Sequence, residues 1–91
     1  MKIIELSDYT MVIQREESDS FKEDFLSIKE KNGSQVKVFM GGGVGYMFEI
    51  LKAKEALFSP DVLILYFSDK IPEEYQIGSK IGIKVGREWI V

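Results

Sequence analysis

Apolar and polar positions alternate along several stretches of the chain. From Tyr9 to Arg15, the residues Tyr9, Met11 and Ile13 fall on one face, and Thr10, Val12 and Gln14 on the other. Val36, Val38 and Met40 share a face, and Ile81, Ile83 and Val85 alternate with Lys80, Gly82 and Lys84. A period of two predicts strands. The short apolar stretch Ile3–Leu6 predicts another, with Ser7-Asp8 as a tight turn into the second strand or as a bend in one long strand. Val62 to Phe67 is apolar at every position, which predicts a central strand covered on both faces. Gly86-Arg87 suits a hairpin turn with glycine at its first central position, returning through Glu88 to Val91 with Trp89 and Val91 on one face.

Two segments carry a helical pattern instead. Ser20 and Glu23 form a capping box, acids crowd the start, and Phe21, Phe25 and Ile28 make a stripe that Asn32-Gly33 ends. The rival reading of this segment is a hairpin, 25–31 with 34–40, about the same Asn32-Gly33 turn. Tyr46 to Leu57 is rich in helix formers (Glu49, Leu51, Lys52, Ala53, Lys54, Glu55, Ala56), with Met47, Ile50, Leu51 and Leu57 on one side and Ser59-Pro60 as a stop. The composite is β-β-α-β-α-β-β-β. It is an α+β fold, one small domain over 1–91, with a mixed β-sheet of about five to six strands and two helices. Residues 36–67 would form a strand–helix–strand crossover, right-handed if its strands are parallel. The alternative is a small β-barrel with one helix, since Tyr75 to Val85 has the rhythm of a barrel's closing hairpins.

Composition narrows the chemistry. The 91 residues hold no cysteine and no histidine. That removes disulfides, thiolate nucleophiles, imidazole bases and the usual zinc and iron–sulfur ligands. Catalysis would fall to carboxylates, lysines, tyrosines or serines with strongly shifted pKa values. A non-catalytic protein is expected, without a cofactor or metal. The net charge of −3 argues against gripping a duplex nucleic acid. The longest apolar run, Val62 to Phe67, is too short to span a bilayer, and the first residues lack a secretory apolar core. A cytoplasmic location is the expectation.

One segment points to binding. Gly41, Gly42, Gly43, Val44 and Gly45 lead into Tyr46 at an expected strand-to-helix junction. Such a loop brings backbone N–H groups close to a ligand, and a helix N-terminus would add positive potential. An anionic or nucleotide-like small ligand fits, with Tyr46 and Phe39 placed to stack on a ring. The loop lacks the last glycine of G-x-G-x-x-G and the Lys-Ser/Thr of a phosphate-binding P-loop. Asp69 stands too far along for the usual ribose contact. Without a ligand, the glycines would serve only a sharp turn.

The alternative function is a small acidic protein–protein module, of inhibitor or immunity type. It would dock a basic partner through Glu16, Glu17 and Asp19, in a stretch from Glu16 to Asp24 with five acids and one lysine. That stretch lacks the ligand spacing of a calcium loop. Glu16/Glu17 and Glu73/Glu74 are sequence neighbours, and in a strand they would point to opposite faces, against acid–base pairing. Self-association is compatible with both readings, because a small domain gains by covering an edge strand.

Overall fold

A computed structural model describes residues 1–16, 35–40 and 45–85, with Pro60, Lys84 and Val85 by backbone alone. The described residues form six strands: β1 (Lys2–Leu6), β2 (Thr10–Gln14), β3 (Gln35–Phe39), β4 (Gly45–Ala56), β5 (Ser59–Phe67) and β6 (Gly82–Val85). They make one sheet in the order β1-β2-β5-β4-β3-β6, and every pairing is antiparallel.

The sheet curls until its two edges meet. Residues 78–81, which lead into β6, bond to β1 at the far edge. Gly78 N–H donates to the Ile3 carbonyl (2.7 Å), Ile3 N–H to the Ser79 carbonyl (3.0 Å) and Ile81 N–H to the Met1 carbonyl (2.8 Å). Gly78 has φ +92°, which an L side chain rarely adopts, so glycine makes this seam accessible to the backbone. The result is a half-barrel. Its interior holds Ile3, Met11, Ile13, Val36, Val38, Phe48, Ile50, Leu63, Leu65, Phe67, Ile81 and Ile83, all buried. Phe48 stacks on Phe67 with ring centroids 4.6 Å apart.

The two-helix α+β expectation is overturned. No described residue is helical, and the sheet is antiparallel throughout rather than mixed. The decisive difference is 46–57, where 46–56 belong to β4 and Leu57 opens the turn that follows it. The inward residues of β4 are Phe48 and Ile50, then half-buried Ala53. The ladder passes from Ile50↔Phe67 to Lys52↔Tyr66, so Leu51 is an extra residue in a β-bulge. A bulge shifts the inward phase by one. Inward spacing therefore changes from two to three, which imitates a helical repeat, and the lysines, glutamates and alanines reinforce the imitation. Packing against β5 overrides those propensities. With β4 extended there is no crossover between 36 and 67, only two successive hairpins.

β5 is interior in the strand order, as its composition suggested, but only one face is fully buried. Leu63, Leu65 and Phe67 point inward, while Val62, Ile64 and Tyr66 are half-buried on the other face. The curled sheet stands nearer to the barrel alternative, although the one helix of that reading is not among the described residues. The segment 20–31, its Asn32-Gly33 stop, and Gly86 to Val91 with Trp89 all lie outside the described residues.

Candidate functional site

The strand directions gather three connections at one end of the half-barrel. These are the β1–β2 turn at 7–9, the connection from β3 to β4 where Phe39 pairs with Gly45, and residues 68–75 after β5. Phe67 N–H donates to the Tyr9 carbonyl and Ile71 N–H to the Asp8 carbonyl, each at 2.8 Å, which ties the last connection to the first. Between them lies an open cleft of about 280 Å³, lined by Leu6, Ser7, Asp8, Lys70, Ile71, Pro72, Glu73 and Tyr75.

The glycine-rich segment is a hairpin loop and not a strand-to-helix junction, because Phe39 pairs with Gly45 across it. The helix dipole expected to assist an anion is therefore missing. Of the six residues singled out there, Gly45 and Tyr46 are described; Gly41, Gly42, Gly43 and Val44 lie outside the described residues. Gly45 has a structural reason to be glycine. A Cβ there would overlap the Val38 carbonyl oxygen and stand 3.0 Å from its carbonyl carbon.

Tyr46 belongs to a small aromatic and polar cluster. Its hydroxyl donates to the Glu74 carboxylate, and its ring meets Tyr75 edge-on with centroids 6.0 Å apart. That hydrogen bond, and then the Glu74 charge, hold the Tyr46 pKa above the ordinary 10.0. The Tyr75 hydroxyl donates to the buried Val38 carbonyl (2.7 Å) and accepts from Tyr46 N–H (3.2 Å). Burial raises the Tyr75 pKa above 10.0 as well. Tyr75 thereby pins the 68–75 connection to the base of the glycine hairpin, while another part of it lines the cleft.

Tyr75 is the residue that sequence reasoning missed. A signal was available: a tyrosine among Pro72, Glu73, Glu74 and Gln76 brings a large ring into a polar loop. Such a ring needs a buried place and a partner for its hydroxyl. Glu73 and Glu74 lie in a turn and not in a strand, Glu73 lining the cleft and Glu74 meeting Tyr46. Phe39 lies under the Lys37 ammonium, 5.1 Å from its ring centroid.

The charge at this mouth is one-sided. Asp8, Asp69, Glu73 and Glu74 are exposed there against exposed Lys70. Carboxylates so placed repel an anion and favour a cation. Among the described residues no three Asp or Glu side chains gather as a metal site. The other acids considered lie elsewhere. Glu16 does not line the cleft and stands at the seam between β1 and residues 78–81, 3.9 Å from the terminal ammonium of Met1 and 3.8 Å from Lys80 Nζ. Glu17 and Asp19 lie outside the described residues. No family model matches this chain, and no curated protein or solved structure matches it either.

Proposed function

We propose that the chain is a non-catalytic module that binds a basic segment of a protein partner at the mouth of its half-barrel. One observation carries this reading: a cleft of about 280 Å³ lined by Asp8 and Glu73 against Lys70, with Asp69 and Glu74 their exposed neighbours in sequence. The cleft is small for a nucleotide-sized ligand and adequate for a single long side chain. Its floor of Leu6, Ile71 and Tyr75 suits the methylene stem of a lysine or arginine, and Asp8 and Glu73 suit the charged head. The reading keeps the acidic protein–protein module anticipated from sequence and moves its contact from Glu16, Glu17 and Asp19 to the mouth. The anionic-ligand reading loses its helix dipole and meets repulsive charge.

An NMR titration of the full chain with tetra-arginine amide, tetraglutamate and inorganic pyrophosphate tests it. Tetra-arginine should shift the amides of residues 8 and 70–75, weakly at high salt, because exposed charges are screened over about 8 Å at physiological ionic strength. Asp8→Lys combined with Glu73→Lys should remove the response. Pyrophosphate shifts at 41–46 without an arginine response would return the reading to an anionic ligand on the glycine loop.

A further inference from the structure

The β1–β2 turn separates two hollows. The cleft of the proposed function lies against Leu6 and Ser7. A second hollow of about 80 Å³ lies against the same two residues and is otherwise lined by Glu5, Thr10 and Val12. The strand pairing explains the division. Glu5 pairs with Val12 and Leu6 with Met11, and successive residues of a strand face opposite ways. Glu5, Thr10 and Val12 therefore belong to the outer face of the sheet, while Leu6 turns in and packs on the core. The chain at Leu6-Ser7 is the ridge between the two hollows. It is held in place: Ser7 N–H donates to the Thr10 carbonyl (2.9 Å), and the Ser7 and Thr10 hydroxyls are hydrogen-bonded to each other.

Each hollow carries a carboxylate without a partner. Elsewhere, Glu16 meets Met1 and Lys80, Asp61 meets Arg15, and Glu74 accepts from Tyr46. Among the described residues no ion pair or hydrogen bond engages the carboxylates of Glu5, Asp8 or Glu73, and Lys70 in the cleft reaches none of them. Each hollow also has an apolar wall, Leu6, Ile71 and Tyr75 in the cleft and Leu6 with Val12 in its neighbour. An aliphatic stem with a cationic head suits both. The smaller hollow has room for roughly two or three waters, which is the size of a head group and not of a whole side chain.

The ridge sets a spacing. An extended peptide lying along it drops successive side chains to opposite sides, whereas residues two apart fall on the same side. We propose that the basic segment taken at the mouth is read as two consecutive basic residues astride Leu6-Ser7, with Asp8 and Glu73 holding one cation and Glu5 the other. This rests on the proposed binding of a basic segment and adds to it a residue, Glu5, and a spacing.

Two acetylated, amidated peptides of equal charge, Gly-Arg-Arg-Gly-Gly and Gly-Arg-Gly-Arg-Gly, test it in NMR titrations of the full chain at low ionic strength. The adjacent-arginine peptide should bind about three- to fivefold more tightly, the worth of one exposed ion pair. It should shift the amides of residues 5, 10 and 12 as well as those of 8 and 70–75. Glu5→Gln, at an exposed position, should abolish the preference and leave the affinity for the spaced peptide unchanged. Equal affinity for the two peptides, or a preference that survives Glu5→Gln, overturns the inference and leaves the single-cation reading of the mouth standing. No response at residues 8 and 70–75 to either peptide overturns that reading and this inference with it.

Discussion

The hairpins at the two ends of β4 solve opposite problems. At the mouth, Gly45 gives up its side chain so that the β3 backbone can approach, and Tyr75 closes over the junction with two hydrogen bonds. At the tip, the turn Leu57-Phe58 between β4 and β5, Phe58 keeps a large side chain where the backbone would accept glycine more easily, and the ring lies bare. One end is organised by what packing requires. The other departs from what packing requires. The contrast separates residues that explain the fold from residues that the fold leaves unexplained, and the latter are better guides to contact with other molecules.

The sharpest way to break this contrast is at Gly45. Read from sequence as a ligand cradle, the loop predicts that Gly45→Val harms ligand binding more than folding. The close approach to Val38 reverses the expectation. Gly45→Val should destabilise by about 3 kcal/mol, at the upper end of overpacking costs, since the obstructing atoms are backbone and not a flexible side chain. Urea unfolding followed by far-UV circular dichroism measures it. A loss below about 1 kcal/mol, within the range of ordinary substitutions, means that the mouth is not tightly fitted and the comparison collapses.

Tyr75→Phe comes next. It leaves the buried Val38 carbonyl without the hydroxyl that donates to it, at a cost of about 1–2 kcal/mol. The same residue gives a pH dependence. Its folded pKa lies above the unfolded 10.0, so the folded state holds the proton longer. The stability linked to it is fully present below pH 10 and is lost as pH rises through the raised folded value. Alkaline unfolding of wild type should therefore steepen above pH 10, and Tyr75→Phe should flatten that limb. An unchanged limb assigns the alkaline loss to other groups, Tyr46 first among them.

At the tip the sign reverses. Phe58→Asn should stabilise the fold by about 1 kcal/mol, because a left-handed backbone costs an ordinary residue roughly 1–2 kcal/mol and asparagine less. Calorimetry on the two proteins is sufficient. A destabilised variant would show that the ring contributes to folding, and the tip would then resemble the mouth.

These positions also show why the sequence was legible in some places and opaque in others. β1, β2 and β3 announce themselves because each pairs a buried face with a more exposed one, as Met11 and Ile13 do against Thr10 and Gln14. β4 hides because Leu51 breaks the period and because lysines and glutamates line its outer positions. A bulge is fixed by the neighbouring strand, which no local window contains. The mouth was half legible. The glycines marked a special backbone, but the reason for Gly45, the approach to Val38, lies across the β3–β4 pairing. Asp8 and Glu73 share the cleft across more than sixty positions of sequence, and only the curl of the sheet brings them together. Phe58 drew no notice, since an exposed phenylalanine in an expected helix end is unremarkable until its φ is known.

The smallest expected effect is at the foot of the tip. Arg15 and Asp61 form a salt bridge at 2.6 Å, with a second hydrogen bond from Arg15 Nε at 3.1 Å, between the end of β2 and the start of β5. The aspartate side chain is 53% exposed and the arginine 25%, so water screens the pair and both side chains give up freedom to meet. A double-mutant cycle with Arg15→Ala and Asp61→Ala should give a coupling of about 0.5 kcal/mol, falling further in 0.5 M salt. That value is well below the Tyr75 contribution, as expected if the mouth is fixed by burial and the tip is only steadied at its surface. A coupling above about 1.5 kcal/mol would be unusual for so exposed a pair. It would mean that the tip is anchored as firmly as the mouth, and the contrast between the two ends of β4 would then lie in Gly45 and Phe58 alone.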